Sequence, residues 1–439
     1  MAGLNDRILI LGCGCFGVST AYHLLKRGFT DITNLERSLV VPAPDAASND
    51  INRIVRSSYS DRFYSEFARD AISLWKNGEE WGDSYQESGV VVLGFPEPSP
   101  GATIQGDLVG SYSRESYNND LAIGADVTLL ETPDALRSAF PSSTPVASLD
   151  SKTGYLNKDG GWADAGKGLK RMINRVTQMG ATIISGKEVK ELVKELIKDG
   201  TGFKTIGVRC SDGSQYDASL VVSALGSWTP STFPGLNFNG ACLATGQCVA
   251  MVQLTPEEAK AYRKCPVVLD FNTGFYIFPV TENNVVKMAI HSVGYTHLKK
   301  NVSTPRTISS DGDRGLAIPK QDLGYLRSYL GEVYPELAAK PFSATRLCWY
   351  NDSPDGDWVI SKYSGDAGLI LATGGSGHAY KFLPNIGSLV ADLIQDKLSP
   401  ELIQKFSIDR PQGKADLSRK GFTQELPLDQ LCTLSDLLL

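Results

Sequence analysis

Histidine is scarce in this chain, four in 439 residues, and methionine nearly so, with five. No basic run occurs: 43 Lys and Arg stand against 49 Asp and Glu, a formal charge of −6. That balance makes nucleic acid and anionic membrane poor partners. No window of eighteen apolar residues exists, so no transmembrane helix is expected. The eight cysteines (Cys13, Cys15, Cys210, Cys242, Cys248, Cys265, Cys348 and Cys432) are scattered. None forms a Cys-x-x-Cys pair or a metal-finger spacing, so free thiols in a reducing compartment are expected and no metal site. The first apolar strand begins at Ile8, so no signal or transit peptide is expected. The final Leu437-Leu438-Leu439 is not a peroxisomal Ser-Lys-Leu signal, so a cytoplasmic protein is expected, with the peroxisome as the alternative. What is present is an ordinary globular composition, 42% hydrophobic and 21% charged, in a chain long enough for two or three domains.

The strongest local signal is Ile8-Leu-Ile-Leu-Gly12-Cys-Gly14-Cys-Phe16-Gly17, followed by a helical pattern through Val18, Ala21, Leu24 and Leu25. A buried strand, a Gly-x-Gly-x-x-Gly turn and a helix in that order form the dinucleotide fingerprint in its required context. Gly12 permits the tight turn, Gly14 lets the backbone approach a pyrophosphate, and Gly17 lets helix and strand pack closely. The helix N-terminus offers free N–H groups and a positive dipole end. A second apolar strand, Ile32 to Leu35, ends in Glu36, about twenty residues downstream, where the fold places an acceptor for ribose hydroxyls. Glu36 argues against a 2′-phosphate and favours FAD or NAD over NADP, although Arg37 beside it weakens that exclusion.

Further along, Asp50-Ile-Asn-Arg53-Ile-Val-Arg56 sets two arginines three apart after a turn-rich crossing that holds Ser48. Asp61 caps a helix to Trp75, and Ser88 to Gly94 reads as a strand. Pro96 to Gly101 is a Pro/Ser-rich break, and the polar stretch to about residue 150 holds a short helix at Pro133 to Phe140. A helix from about Trp162 to Met179 leads to the strand Ala181 to Ile184. Lys187 to Lys198 has helical spacing but a strand's neighbours, and is assigned as strand. Ser219 to Trp228 is a strand ending in Ala224-Leu-Gly226-Ser-Trp228. Strands at Cys248 to Leu254, Val267 to Asp270, Gly274 to Pro279 and Val285 to Ala289, and helices at Pro256 to Arg263 and Asp322 to Tyr334, suggest a mixed-sheet domain. Gly368 to Thr373, then Gly374-Gly375-Ser-Gly377 and a helix from Asn385 to Gln395, repeat the strand–turn–helix device at the other end. A flavin spanning both turns needs that return; an NAD enzyme does not. The second helix is expected to aim its N–H groups at the cofactor.

The predicted fold class is therefore α/β with an α+β second domain. Residues 1–90, 151–235 and 341–410 form a Rossmann-type FAD-binding domain. Residues 91–150 and 236–340 form a substrate domain, and 411–439 a C-terminal tail.

Over nearly its whole length the chain resembles the sarcosine oxidase group of FAD-dependent amine oxidases. That group includes pipecolate oxidases, fungal saccharopine oxidases and the fructosyl amino acid oxidases (amadoriases), and is built like D-amino acid oxidase. The motifs that carry the resemblance are Gly12-x-Gly14-x-x-Gly17, Asp50-x-x-Arg53-x-x-Arg56, Ala224-x-Gly226-x-Trp228, Lys287-x-x-x-His291, Arg346-x-Cys348-Trp-Tyr and Ser376-Gly-His378-x-x-Lys381-x-x-x-x-x-Gly387. Each is weak alone; together they are specific.

The resemblance implies FAD bonded through sulfur at Cys348, with Arg346 as the charge that favours the thiolate. It implies Lys287 over the flavin face, where its ammonium stabilises negative charge as dioxygen is reduced. Arg56 and Lys381 would grip a substrate α-carboxylate. Arg53 would sit nearer the flavin, with His291 and His378 in the site. Tyr276, Phe275 and Trp349 are candidate pocket walls. The implied reaction is oxidation of a secondary amine such as saccharopine, pipecolate or an N-methyl amino acid. Hydride passes to the flavin, an imine forms, and dioxygen becomes hydrogen peroxide. Arg56 and His291 depart from the deglycating pattern, so a fructosyl amino acid is the alternative substrate, and an oxidative cyclisation another. Partners beyond amine and dioxygen are not expected; the chain reads as a monomer or weak oligomer.

Overall fold

The computed structural model describes residues 2–95, 108–197, 202–411, 413, 415–416, 418–419 and 421–438, and the side chains of 108–111 are not among them. The Pro/Ser-rich break at 96–101, Lys198 and Leu439 lie outside the described residues.

Strand Ile8–Leu11 sits inside a six-stranded sheet, between Leu220–Ser223 and Ile32–Leu35, and pairs parallel with both. Leu369–Thr373 and Thr182–Ile184 extend the parallel set, and Val359–Lys362 closes one edge antiparallel. Ile8 to Leu11 is buried on both faces, as a continuous apolar run in a parallel sheet requires. One face packs against helices Cys15–Lys26, Ala165–Gln178 and Ile386–Ile394. The other is covered by a three-stranded sheet that includes Val189–Leu196 and Phe203–Cys210. The helical spacing in Val189–Leu196 is thus overridden. The segment pairs antiparallel with Phe203–Cys210, with two register shifts that break strict alternation.

Among the described residues a mixed sheet of ten strands forms the second layer system. Its longest strand, Leu243–Gln253, pairs antiparallel with Val285–Ile290 and with Ala344–Asp352, and the latter carries Cys348. Helix Lys320–Gly331 covers one face.

Two expectations are corrected. The stretch before residue 150 holds the fifteen-residue helix Leu108–Ala122. Its inward positions Ser113, Ser116 and Asp120 are buried but polar, so no apolar periodicity announces it. The helix at Pro256 is one turn, Pro256–Ala259, stopped after a Thr255/Glu258 capping box. The described residues of 411–439, expected as a C-terminal tail, pack onto the mixed-sheet layer. Gln424–Glu425 adds to the mixed sheet beside Tyr295–Thr296, and the Phe342 amide donates to the Leu437 carbonyl at 2.9 Å.

Candidate active site

Two adjoining cavities share Arg53, Tyr350, Gly377 and Tyr380 in their walls. The narrower, about 170 Å³, runs from Glu36, Arg37 and Trp228 past Gly12, Gly14, Phe16 and Ser48 to Ala224, Gly226, Gly375 and Gly377. Its turn needs glycine. A Cβ on Gly17 would stand 2.1 Å from the Gly12 carbonyl oxygen. Gly12 itself has φ +105, and a Cβ there would meet the Ala224 carbonyl at 2.6 Å. Glu36 is buried and accepts from the Cys13 and Ser38 amides, each at 3.0 Å. Ser48 accepts from the Cys15 amide at 2.9 Å, and the Arg37 guanidinium lies 3.8 Å from the Trp228 ring centre.

This cavity fits FAD. Asp45 and Asn351 both line it, and each keeps a buried side-chain oxygen without a partner, placed to meet hydroxyl or amide donors of a polar ligand. Neither residue was legible as a site residue. Gly17 and Gly374 shape the turns without lining the cavity. The helix after the second turn contributes no residue to the lining of either cavity. It begins only at Ile386, and its Gly387 amide donates to Ser19 Oγ, packed on the first helix.

The wider cavity, about 630 Å³, brings together Arg53, Arg56, Tyr276, His291, His378 and Lys381. Arg56 is buried, and its Nη1 has no hydrogen-bond partner. Its guanidinium faces the rings of Tyr59 at 4.6 Å and Phe271 at 5.4 Å, and among the described residues no carboxylate pairs with it. Lys381 is buried nearby, and burial together with the Arg56 charge holds its pKa well below the ordinary lysine value. His291 and His378 are both pushed towards the neutral form by burial, His291 down to about 3.

Phe275 is not a wall. It alternates with Tyr276 along one strand and packs into the mixed-sheet core. Trp349 lines the narrower cavity instead, its indole N–H donating to the Arg306 carbonyl at 2.7 Å.

Lys287 and Cys348 line neither cavity but lie just behind Arg53. Lys287 Nζ donates to Asp50 Oδ2 at 2.8 Å and to the Asn52 carbonyl at 2.9 Å, with both charged side chains 1% exposed. Arg53 also donates to Asp50, and its Nη2 donates to Cys348 Sγ at 3.2 Å. Burial pulls the Lys287 pKa down to about 7 even with Asp50 beside it, and the cluster of cations holds Asp50 far below the usual carboxylate range. The cation expected at the sulfur is therefore misassigned. Arg346 donates to the carbonyls of Asn49 at 2.9 Å and Ala46 at 3.0 Å, and Arg53 holds the cysteine.

The segment after residue 411 supplies residues that sequence reading missed. Ser418 Oγ lies 3.0 Å from His291 Nε2 and donates to Asp416 at 2.6 Å. Arg419 pairs with Asp352 at 3.0 Å and Asp416 at 2.9 Å. No local pattern in a polar, turn-rich segment marks these residues for a cavity wall.

A family model described as "FAD dependent oxidoreductase" matches residues 7–393. The chain belongs to this FAD-dependent oxidoreductase family. It is 30% identical to the L-saccharopine oxidase of Schizosaccharomyces pombe over 413 residues, 91% of this chain and 92% of that protein. It is 24% identical to human peroxisomal sarcosine oxidase, covering 93% of this chain and 97% of that one. Among solved structures it superposes on Amadoriase I from Aspergillus fumigatus with a TM-score of 0.83 and 25% identity over 99% of both chains. The fold is thus the expected Rossmann-type α/β arrangement with a mixed-sheet partner, and the chain is an FAD-dependent oxidase of the amine-oxidase type. No helix among the described residues is long and apolar enough to cross a membrane.

Proposed function

We propose that this enzyme oxidises a secondary amine that carries an α-carboxylate, with the carboxylate held by Arg56 and Lys381. The observation that carries the reading is the Arg56 guanidinium, buried in the wall of the wider cavity beside Tyr112, with Nη1 unpartnered and no carboxylate paired with it among the described residues. An uncompensated buried charge is costly, and a bound carboxylate offsets it through bidentate hydrogen bonds. Lys381 lines the same cavity and adds a second cationic donor once its proton is restored by the incoming negative charge.

FAD, when bound in the narrower cavity, supplies the acceptor that takes two electrons and a hydrogen from the carbon beside the amine and delivers the electrons to dioxygen. Glu36, Ser48, Asp45 and the Gly12–Gly17 turn would hold it, and Cys348 is the residue for a covalent bond. Arg53 positions that cysteine by donating to its sulfur. Lys287, fixed on Asp50, supplies a buried positive charge behind Arg53. The neutral imidazoles of His291 and His378 leave the amine unopposed by a further cation. Release of the imine to water gives an aldehyde or keto product and a primary amine.

The test is anaerobic bleaching of the oxidised-flavin band by L-saccharopine, L-pipecolate, sarcosine, N-methyl-tyrosine, fructosyl-valine and fructosyl-lysine. Fast bleaching by one of the first four is the expected result. The likeness to Amadoriase I favours a second reading, a fructosyl amino acid, and preferential bleaching by the sugar amines would establish it.

A further inference from the structure

Tyr59 stands between Arg56 and Lys381 in the wider cavity, and no motif singles it out. It is 5% exposed and lines the cavity. The Arg56 guanidinium faces its ring at 4.6 Å, and Lys381 Nζ donates to its hydroxyl at 2.6 Å. The same hydroxyl lies 3.2 Å from His378 Nδ1. His378 Nε2 is 2.9 Å from the Gly356 carbonyl, and the His378 carbonyl accepts from Lys381 at 3.0 Å.

The direction of this chain follows from its far end. A carbonyl only accepts, so the His378 proton sits on Nε2, facing Gly356. Burial keeps the ring neutral, which leaves Nδ1 as an acceptor. The Tyr59 hydroxyl must then donate to Nδ1, and its lone pairs are left to face Lys381. The tyrosine is also fixed from behind, its carbonyl accepting from Ser65 Oγ at 3.0 Å and Asn119 Nδ2 at 2.9 Å.

We propose that Tyr59 is the positioning residue of the carboxylate clamp: its ring fixes the Arg56 guanidinium and its directed hydroxyl fixes the Lys381 ammonium. The inference rests on the reading of Arg56 and Lys381 given above. It assigns a division of labour within one side chain. The ring stabilises a buried guanidinium through its negative face. The hydroxyl, being oriented by His378, presents only acceptor capacity to Lys381 and so favours its protonated form.

The experiment is titration of the flavin-loaded enzyme with methoxyacetate, a carboxylate with no amine to oxidise, read by perturbation of the flavin band across pH. Tyr59→Phe keeps the ring and removes the hydroxyl. The dissociation constant should rise about tenfold, the scale of one hydrogen bond to a charged group. The pH above which affinity is lost should move lower, because Lys381 loses an acceptor that favours its charge. Loss of the Tyr59 hydroxyl should be non-additive with Lys381→Met and additive with Arg56→Gln. An unchanged dissociation constant and pH limb in Tyr59→Phe overturns the inference. If Arg56→Gln and Lys381→Met also leave methoxyacetate binding unchanged, the proposed function itself falls. Should Tyr59→Phe fail to retain flavin, His378→Leu tests the same chain. Without its acceptor the hydroxyl turns, and methoxyacetate must bind more weakly; unchanged binding overturns the inference by that route.

Discussion

The two cavities are built in opposite ways. The narrower one is framed by backbone turns. A glycine turn, the end of one strand and a second glycine turn line it, with Glu36, Asp45 and Ser48 among its polar residues. The wider one is side chain, drawn from the segments around Arg56, Tyr112, Tyr276, His291, Lys381 and Ser418. A cavity of backbone fixes its ligand by shape and fails when a Cβ intrudes. A cavity of buried charges fixes its ligand by compensation and fails when one charge is removed. The contrast makes Gly17 and Arg56 the points at which each can be broken separately.

The largest effect is expected at Gly17. Gly17→Val puts carbon onto the Gly12 carbonyl, which backbone cannot yield, and the purified protein should carry no flavin. The ratio of flavin absorbance to protein checks this, and full flavin content would break the backbone half of the comparison. Next comes Arg56→Gln, which should lower kcat/KM for the carboxylated amine by about 100-fold, the loss of a charged bidentate contact, while flavin content stays at the wild-type level.

Lys287→Met should slow reoxidation by dioxygen far more than anaerobic reduction by the amine, as stopped-flow traces of the two half-reactions would show. The pH sign follows from its pKa of about 7. The charged form predominates below that value and is lost above it, so the oxygen rate should decline on the alkaline side in wild type and be flat in the variant. Equal losses in both half-reactions would remove this role. Cys348→Ala should leave the fold intact and allow flavin to separate from the protein on denaturation, while Arg53→Lys, which keeps charge but loses the fork, should slow formation of the link. The smallest effect is expected at Glu36. Glu36→Gln keeps an acceptor and should weaken flavin retention by about tenfold, measured on the Cys348→Ala background.

The same contrast decides what could be read from the chain. Gly12, Gly14, Gly17 and Glu36 act within one strand–turn–helix–strand unit, so spacing alone placed them. Arg53, Arg56, Lys287 and His291 were legible through the motifs that carry the family resemblance. Which group each serves was not, since that depends on partners from elsewhere. Asp50 joins Lys287, from a distant strand, to Arg53 three residues away, and Arg346 turns to the carbonyls of the 44–49 loop. Helix Leu108–Ala122 escaped because its buried face is polar rather than apolar: Asp120 there accepts from Ser57, Ser58, Tyr155 and Asn157. Tyr59, Asp45 and Ser418 carry no local pattern at all; only the tertiary fold brings them to a cavity.

The central claim is that a buried guanidinium with no carboxylate partner of its own selects a substrate carboxylate. It is tested most directly by rapid mixing under anaerobic conditions of the enzyme with an N-methyl amino acid and with its carboxamide, which differ only in that charge. The account predicts flavin reduction by the acid at least about 100-fold more efficiently than by the amide, with the difference abolished in Arg56→Gln. Equal reduction by acid and amide in the wild-type enzyme would contradict it.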